Sequence, residues 1–346
     1  MVRDQLEAIV ATGVPGAAVV ATGPAGTVEE AAGVANVETG EPLTPRHRFR
    51  IGSVTKLFVA PVVLQLVAEG LLELDGDAAP FVPGVTIRQL LNHTSGLPDN
   101  PFDHVEFFEP YRRDPTHRYE LGHREQLANV MKLPRLFAPG DGWEYHGSNY
   151  LALGLIVEET TGMTLAEALR QRILGPLALE QTELIEGPLR GECAHGYLPD
   201  DNPILPGNGA PVDVTELELP FHWAGGGVVS TPGEVARLLR ALLGEDLVPD
   251  HLRKEMLDAV ESEWMETDRY GLGIGEISAV WRRERSSCAH AWGHIGFSLG
   301  YFAIALSSED GQRQVVICAN GALMTEASEE EFFDAVGRLA WHLYCR

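Results

Sequence analysis

Short apolar segments near both ends of the chain carry the spacing of strands. Residues 17–22 and 27–34 are predicted to be strands, because Gly-Pro-Ala-Gly at 23–26 is a turn sequence. Residues 301–306 and 314–319 form a similar apolar pair around a second hairpin signal. We expect these segments to pair in one antiparallel sheet.

The middle of the chain has helical rather than strand periodicity. Apolar positions three and four residues apart predict helices over residues 54–69, 151–161 and 164–174, and others starting at Thr231 and Ser328. Pro61 lies inside the first of these and is expected to bend it. Residues 98–139 are rich in proline, charge and aromatics, and predict an irregular excursion with one helix near 123–131. Strands at both ends with helices between them indicate an α+β fold.

The composition excludes several classes of partner. The 346 residues include 50 acidic and 26 basic side chains, a formal net charge of -24, which repels nucleic acid and anionic lipid. No apolar run approaches the roughly 20 residues of a membrane span. The first residues lack the pattern of a secretory signal, which predicts a cytoplasmic protein. Four cysteines, far apart and without CxxC spacing, are then expected to be free thiols.

One serine and one lysine have the spacing of a catalytic pair. Ser53 precedes Lys56 by three residues, and the chain has no other serine–lysine pair at this spacing. On a helix these positions share a face, so the hydroxyl and the amine can come within hydrogen-bond reach. A helix N-terminus and partial burial both disfavour a charged amine, and a neutral lysine can act as a base toward the serine. An N-cap serine beside a surface lysine is the alternative.

A longer motif resembles a known family. Residues 90–98, Leu-Leu-Asn-His-Thr-Ser-Gly-Leu-Pro, are similar to a segment of the class C β-lactamase-related serine hydrolases. That family includes penicillin-binding proteins, D-Ala-D-Ala carboxypeptidases, family VIII esterases, D-aminopeptidases and acyltransferases. Residues 33–40, 49–56, 224–231 and 270–273 resemble its other landmarks in the same order. Within the motif, His93 and Ser95 are expected to fix a turn rather than to react.

The resemblance implies a β-lactamase/transpeptidase-like fold. Its antiparallel sheet is flanked by the N- and C-terminal helices and interrupted by a mainly helical subdomain. We expect residues 1–75 and 215–346 to form the sheet subdomain and residues 76–214 to form the helical one. The active site is then expected in the cleft between them, with Ser53 as nucleophile.

A third motif supplies a tyrosine and departs from the family pattern. Residues 139–150 resemble Pro-Gly-x-x-Trp-x-Tyr-Ser-Asn-x-x-Tyr, which puts Tyr145 at the catalytic tyrosine. A phenol beside a lysine can accept the serine proton and return it to the leaving group. His146 and Gly147 stand where the family has serine and an asparagine that contacts a peptide-like substrate. Gly147 has no side chain for that contact, and Asn149 lies two residues too late to replace it simply.

A fourth motif predicts the oxyanion site. His294-Ile295-Gly296 resembles the Lys/His-x-Gly strand that flanks the nucleophile, with Gly296 allowing the substrate backbone to lie close. By this resemblance, the N–H groups of Ser53 and Phe297 form the oxyanion hole. His294 is expected to carry a pH-dependent positive charge and to donate to substrate or to Tyr145. A buried, satisfied histidine is the alternative.

These residues together predict a serine acyl hydrolase for a small-molecule ester, amide or lactam, without metal or cofactor. The cytoplasmic start argues against a cell-wall carboxypeptidase, and the missing asparagine and the His-x-Gly strand argue against a β-lactamase. The alternatives are a transacylase of bacterial secondary metabolism, which passes the acyl group to an amine or alcohol, and a non-catalytic ligand-binding homologue. The last predicts loss of Ser53, Lys56 or Tyr145, and all three are present.

Overall fold

A nine-stranded antiparallel sheet lies at the centre of the protein. The computed structural model describes residues 1–98, 109–114, 121–202, 204–205, 207, 209–219, 222–244, 247–262, 267–277, 290–321 and 326–346. The strands are β1 (Gly16–Gly23), β2 (Gly26–Asn36), β3 (Glu41–Pro42), β4 (Phe49–Arg50), β5 (Asp77–Ala78), β6 (Val82–Thr86), β7 (Glu183–Leu184), β8 (Tyr197–Leu198), β9 (Val212–Asp213), β10 (Val228–Ser230), β11 (Val260–Glu261), β12 (Thr267–Tyr270), β13 (Gly275–Ile277), β14 (Ala291–Ser298), β15 (Tyr301–Ser307) and β16 (Gln314–Ala319).

Helices flank the sheet and occupy the middle of the chain. They are α1 (Val2–Val10), α2 (Lys56–Ala68), α3 (Ile87–Leu91), α4 (Glu109–Arg113), α5 (His123–Val130), α6 (Gly147–Thr161), α7 (Leu165–Leu169), α8 (Trp223–Gly226), α9 (Pro232–Gly244), α10 (Asp250–Leu257) and α11 (Glu326–Tyr344). A 3-10 turn, Gly52–Thr55, leads into α2, and a π-helical turn, Arg170–Leu174, follows α7. The helices predicted from periodicity are therefore present, with ends shifted by a few residues. Most of the predicted excursion, residues 99–108 and 115–120, lies outside the described residues.

The large sheet joins the two ends of the chain. Its strand order is β11-β12-β13-β14-β15-β16-β1-β2-β3. The first and last thirds meet where β1 pairs antiparallel with β16, Val19 opposite Ile317. This pairing confirms the α+β arrangement, since strands distant in sequence close one sheet. The division into two subdomains stays a prediction.

Side-chain alternation gives the sheet two buried faces. In β1, Val19 packs with Ile317 and Leu339 against α1 and α11, while Val20 points to the opposite face. That opposite face packs against α2 and α9, in the larger core cluster. Period-two alternation in strands buried on both sides explains the continuous apolar runs in the sequence. The face toward α2 is the one that carries the candidate site.

The cysteines do not all behave as expected. Cys193 and Cys318 are free and buried, whereas Cys345 is disulfide-bonded. Cys288 lies outside the described residues. The prediction of four free thiols is thus wrong for Cys345, because spacing along the chain does not report distance in space. The cytoplasmic location stays a prediction. Within the described ranges, no helix has the length and apolar character needed to cross a membrane.

Candidate active site

Ser53 and Lys56 lie together where the 3-10 turn becomes α2. Lys56 donates through Nζ to Ser53 Oγ at 3.2 Å and to the carbonyl of Gly225 at 2.8 Å. Lys56 is only 1% exposed, whereas Ser53 is half-buried. A lysine with its whole stem and its nitrogen inside the protein differs from the ordinary surface lysine of the alternative interpretation. The predicted contact between this serine and this lysine is present.

The ring of Tyr145 also lies close to Lys56. Lys56 Nζ is 4.8 Å from the centroid of the Tyr145 ring and 5.1 Å from that of Tyr150. Tyr145 is half-buried and precedes α6, while Tyr150, in the first turns of α6, is fully buried. Burial, with a smaller contribution from Tyr145, raises the pKa of Tyr150 well above its usual value, so this phenol remains neutral. The hydroxyl of Ser53 and the ring of Tyr145 therefore both lie close to Lys56 Nζ.

Strand β14 closes the site next to the nucleophile. Gly296 is so close to the segment before Ser53 that a Cβ there would lie 2.0 Å from the carbonyl oxygen of Ile51. Gly52, with φ at +50°, approaches the backbone of Phe297 in the same way, and a Cβ on Gly52 would lie 2.7 Å from Phe297 N. Only glycine permits this approach of strand to turn. The main chain of Phe297 therefore lies against Gly52, the residue before Ser53, and the oxyanion role of the Phe297 N–H stays a prediction.

The side chain of Phe297 points away from the site. Its ring is 5.3 Å from that of Phe302 and 6.1 Å from that of Phe333, on the face of the sheet covered by α11. Alternation along β14 then places His294, Gly296 and Ser298 on the face toward Ser53. Any role of Phe297 beside the nucleophile therefore belongs to its main chain.

His294 is buried and neutral, which corrects the expected positive charge. It is 0% exposed, and burial together with Lys56 lowers its pKa well below the usual range. Its Nδ1 donates to the carbonyl of Ile295 at 2.6 Å, so Nε2 accepts the hydroxyl of Tyr270 at 2.9 Å. The ring centroid of His294 lies 6.0 Å from that of Tyr145. Burial is the larger cause, because a charged imidazole away from water is costly, and the nearby Lys56 amine adds to that cost.

His146 and Gly147 form the start of α6, at the edge of the site. His146 is the N-cap residue, and the Cα of Gly147 lies 3.8 Å from where a Cβ on Gly225 would stand, with Lys56 Nζ at 3.9 Å from the same point. Asn149 does not replace the missing amide, because its Oδ1 accepts the hydroxyl of Ser95 at 2.5 Å and its Nδ2 donates toward His93. Asn149 therefore does not supply the substrate contact that is lost with Gly147.

Three groups at the site were not expected from the sequence. The Gly225 carbonyl accepts from Lys56, and the Tyr270 hydroxyl donates to Nε2 of His294. His222 also contacts Ser298, with Nδ1 and Oγ 3.3 Å apart. Burial, Arg50 and Lys56 lower the pKa of His222 to about 3. The family landmarks at 224–231 and 270–273 include Gly225 and Tyr270 without assigning them a contact, and no sequence signal pointed to His222.

Comparison with known proteins agrees with this geometry. The model of the beta-lactamase family matches residues 2–336. Penicillin-binding protein 4 of Amycolatopsis lactamdurans is 28% identical over 94% of this chain and 86% of its own length. Esterase EstB of Burkholderia gladioli is 29% identical over 72% of this chain and 71% of its own.

Solved structures agree as well. A D-stereospecific amidohydrolase from Streptomyces sp. superposes with a TM-score of 0.78, at 28% identity over 96% of this chain and 97% of that one. The β-lactamase/transpeptidase-like fold is thereby confirmed. With the family match across nearly the whole chain, this protein belongs to the beta-lactamase family, and it is a serine hydrolase.

Proposed function

We propose that this protein hydrolyses a small-molecule ester or amide through an acyl-Ser53 intermediate. The observation that carries the proposal is the position of Lys56 Nζ, 3.2 Å from Ser53 Oγ and 4.8 Å from the centroid of the Tyr145 ring. The similarity to an esterase and to an amidohydrolase supports the substrate class. We place the site in a cleft between the sheet, which contributes β14, and the helices that follow residue 76.

The acylation step follows from these positions. Ser53 Oγ attacks the carbonyl carbon, and its proton passes to the pair formed by Lys56 and Tyr145. The electron pair displaced from the carbonyl develops as an oxyanion between the N–H groups of Ser53 and Phe297. Preorganised donors of this kind are each worth about 3–4 kcal/mol in acyl transfer. Collapse of the intermediate expels the alcohol or amine, which takes the proton back from Tyr145.

Deacylation reverses these roles with water as the nucleophile. Water gives its proton to the same pair, attacks the acyl carbon and releases the acid, and Ser53 Oγ recovers its proton. The lowered pKa of His294 disfavours its protonated form and the raised pKa of Tyr150 disfavours its phenolate, which leaves proton transfer to Lys56 and Tyr145.

A panel of substrates tests the proposal. Purified protein is incubated with p-nitrophenyl esters, amino-acid amides and a penicillin, and product release and intact mass are recorded. We expect turnover of esters or amides with a transient mass increase equal to the acyl group. Adding an amine and measuring how the acyl group partitions distinguishes hydrolysis from acyl transfer. Absence of both turnover and acyl-enzyme across the panel would contradict the proposal and favour a binding homologue.

A further inference from the structure

His93 bonds to the chain on both sides of Tyr145. Its main-chain carbonyl accepts the N–H of Glu144 at 3.1 Å, and its side-chain Nδ1 accepts the N–H of His146 at 3.4 Å. Both neighbours of the tyrosine are thus attached to one residue that is about 50 positions away in the sequence. The backbone of Tyr145 has little freedom to shift while both bonds are intact.

The ring of His93 also packs on the tyrosine itself. The two ring centroids are 4.4 Å apart with an angle of 36° between the planes. The Tyr270 ring meets His93 edge-on at 5.0 Å. Lys56 Nζ lies 4.8 Å from the centroid of the Tyr145 ring. Because His93 packs on that ring and orients its plane, His93 also determines how the ring lies against Lys56.

The protonation state of His93 is fixed by its partners. A main-chain N–H can only donate, so Nδ1 is the accepting nitrogen and the proton lies on Nε2. Asn149 Nδ2, 3.0 Å from Nδ1, is a second donor to the same atom. His93 is 0% exposed, and burial followed by Lys56 lowers its pKa well below the usual range, so the ring is neutral.

Two features of His93 destabilise the folded protein locally. His93 has φ at +64°, a left-handed conformation that is uncommon for a residue with a side chain. Its Nε2 is buried and has no hydrogen-bond partner among the described residues. Both features destabilise the fold, and such strain is typical of residues that serve a functional geometry.

We propose that His93 is a positioning residue for Tyr145, fixing the backbone on both sides of the tyrosine and the plane of its ring beside Lys56. This inference rests on the proposed role of Tyr145 in proton transfer. The described hydrogen bonds of His93 join it to the main chain of Glu144 and His146 and to the side chain of Asn149, which defines a positioning rather than a catalytic role.

Three variants separate the parts of this role. His93→Gly keeps the left-handed backbone but removes both the side-chain acceptor Nδ1 and the ring. His93→Asn tolerates the same backbone and offers Oδ1 where Nδ1 stood, so it keeps the bond to His146 and loses only the ring. Ser95→Ala is the matched control, because Ser95 is a buried member of the same loop whose hydroxyl bonds to Asn149.

The kinetic readout is kcat and KM for p-nitrophenyl butyrate, with the melting temperature of each variant. We expect His93→Gly to lower kcat about 100-fold with KM within about threefold of wild type, as for loss of an interaction made in the transition state. His93→Asn should retain at least about tenfold more of kcat than His93→Gly. Ser95→Ala should lower the melting temperature with kcat within about threefold. Equal loss of kcat in His93→Gly and Ser95→Ala would overturn the proposal.

A double-mutant cycle gives the decisive comparison. If His93 acts through the tyrosine, adding His93→Asn or His93→Gly to Tyr145→Phe should change kcat by less than about threefold. A full additional loss in the Tyr145→Phe background would overturn the positioning role, and the asparagine variant keeps this test available if the glycine variant does not fold. Failure of the proposed function has a different signature: Tyr145→Phe alone would then retain wild-type kcat.

Discussion

Lys56 Nζ contacts Ser53 Oγ at 3.2 Å, one turn apart, and the same nitrogen donates to the carbonyl of Gly225 at 2.8 Å. The lysine thereby connects the start of α2 to α8, which belong to distant parts of the chain. Its buried nitrogen therefore donates both to a main-chain carbonyl and to the hydroxyl of Ser53. The account of catalysis depends on this arrangement.

Removing the amine should stop the reaction without unfolding the protein. Lys56→Met keeps an apolar stem in a buried position, and kcat for an ester should fall at least about 100-fold, since a positioned base contributes about 10²–10⁴. The melting temperature should stay close to that of the wild type, as Met fills similar space. Lys254→Met is the control, because that lysine is 77% exposed and pairs with Asp250. A Lys56→Met enzyme within tenfold of wild type would contradict the assigned role.

The contact of β14 with the nucleophile turn should not tolerate a methyl group. In Gly296→Ala the new Cβ would lie 2.0 Å from the Ile51 carbonyl oxygen, so the strand must move away from Ser53. We expect destabilisation of about 2 kcal/mol or more and loss of most activity. Thermal melting and ester hydrolysis measure the two effects.

A glycine in α9 provides the comparison. A Cβ on Gly233 would meet nothing within 4 Å, so Gly233→Ala should be neutral or stabilise by up to about 1 kcal/mol. Similar behaviour of the two alanine variants would mean that the close approach at Gly296 is not required.

Buried histidines should make the protein sensitive to acid. The pKa values of His93 and His294 lie well below the usual range, whereas in the unfolded chain both bind a proton near pH 6.5. Below that pH the unfolded state holds more protons, so the free energy of unfolding should fall by up to about 1.4 kcal/mol per pH unit for each histidine. The stabilising contribution is complete above about pH 6.5.

Urea unfolding between pH 5.5 and 7.5 measures this dependence. His93→Asn should flatten the slope by about one proton, because the group that titrates only in the unfolded state is gone. Gly233→Ala, which changes no titratable group, is the control and is expected to leave the slope unchanged. Equal slopes in wild type and His93→Asn would show that the imidazole of His93 titrates alike in both states.

The glycine at the start of α6 should limit turnover of peptide-like substrates. Gly147→Asn restores an amide near Lys56 and should raise any residual hydrolysis of a penicillin or D-peptide about fivefold, the effect of one hydrogen bond worth about 1 kcal/mol. Gly147→Ala controls for the added Cβ and the helix start. If the asparagine variant is no faster than the alanine variant, this explanation of the His146-Gly147 departure is wrong.

Local spacing predicts the parts of the site that lie close together in sequence. Ser53 and Lys56 share a helical face because three residues make nearly one turn, and this needs no tertiary information. The charge of His294 cannot be predicted in this way, because it depends on burial and on Lys56, which act on the ring only in the folded chain. The contact of Lys56 with the Gly225 carbonyl cannot be predicted locally either, because the two residues are 169 positions apart.

Pairing between distant segments is similarly beyond local patterns. The strands β1 and β16 are visible as apolar runs, but their register follows from packing of both faces rather than from either sequence alone. The hydrogen bonds of His93 on either side of Tyr145 join segments about 50 positions apart, which the motif around His93 alone does not reveal. The disulfide at Cys345 cannot be predicted from the sequence either, because cysteine spacing along the chain does not report distance in space.

The most direct test of the account is covalent labelling of the nucleophile. Wild-type protein and Ser53→Ala are incubated with a fluorophosphonate, and intact mass and peptide mapping locate the adduct. We predict one adduct per wild-type chain, on Ser53, and none on the variant, provided that its melting curve shows a folded protein. An adduct of equal yield on Ser53→Ala, or one mapped to another residue of the wild type, would contradict the assignment of Ser53 as nucleophile.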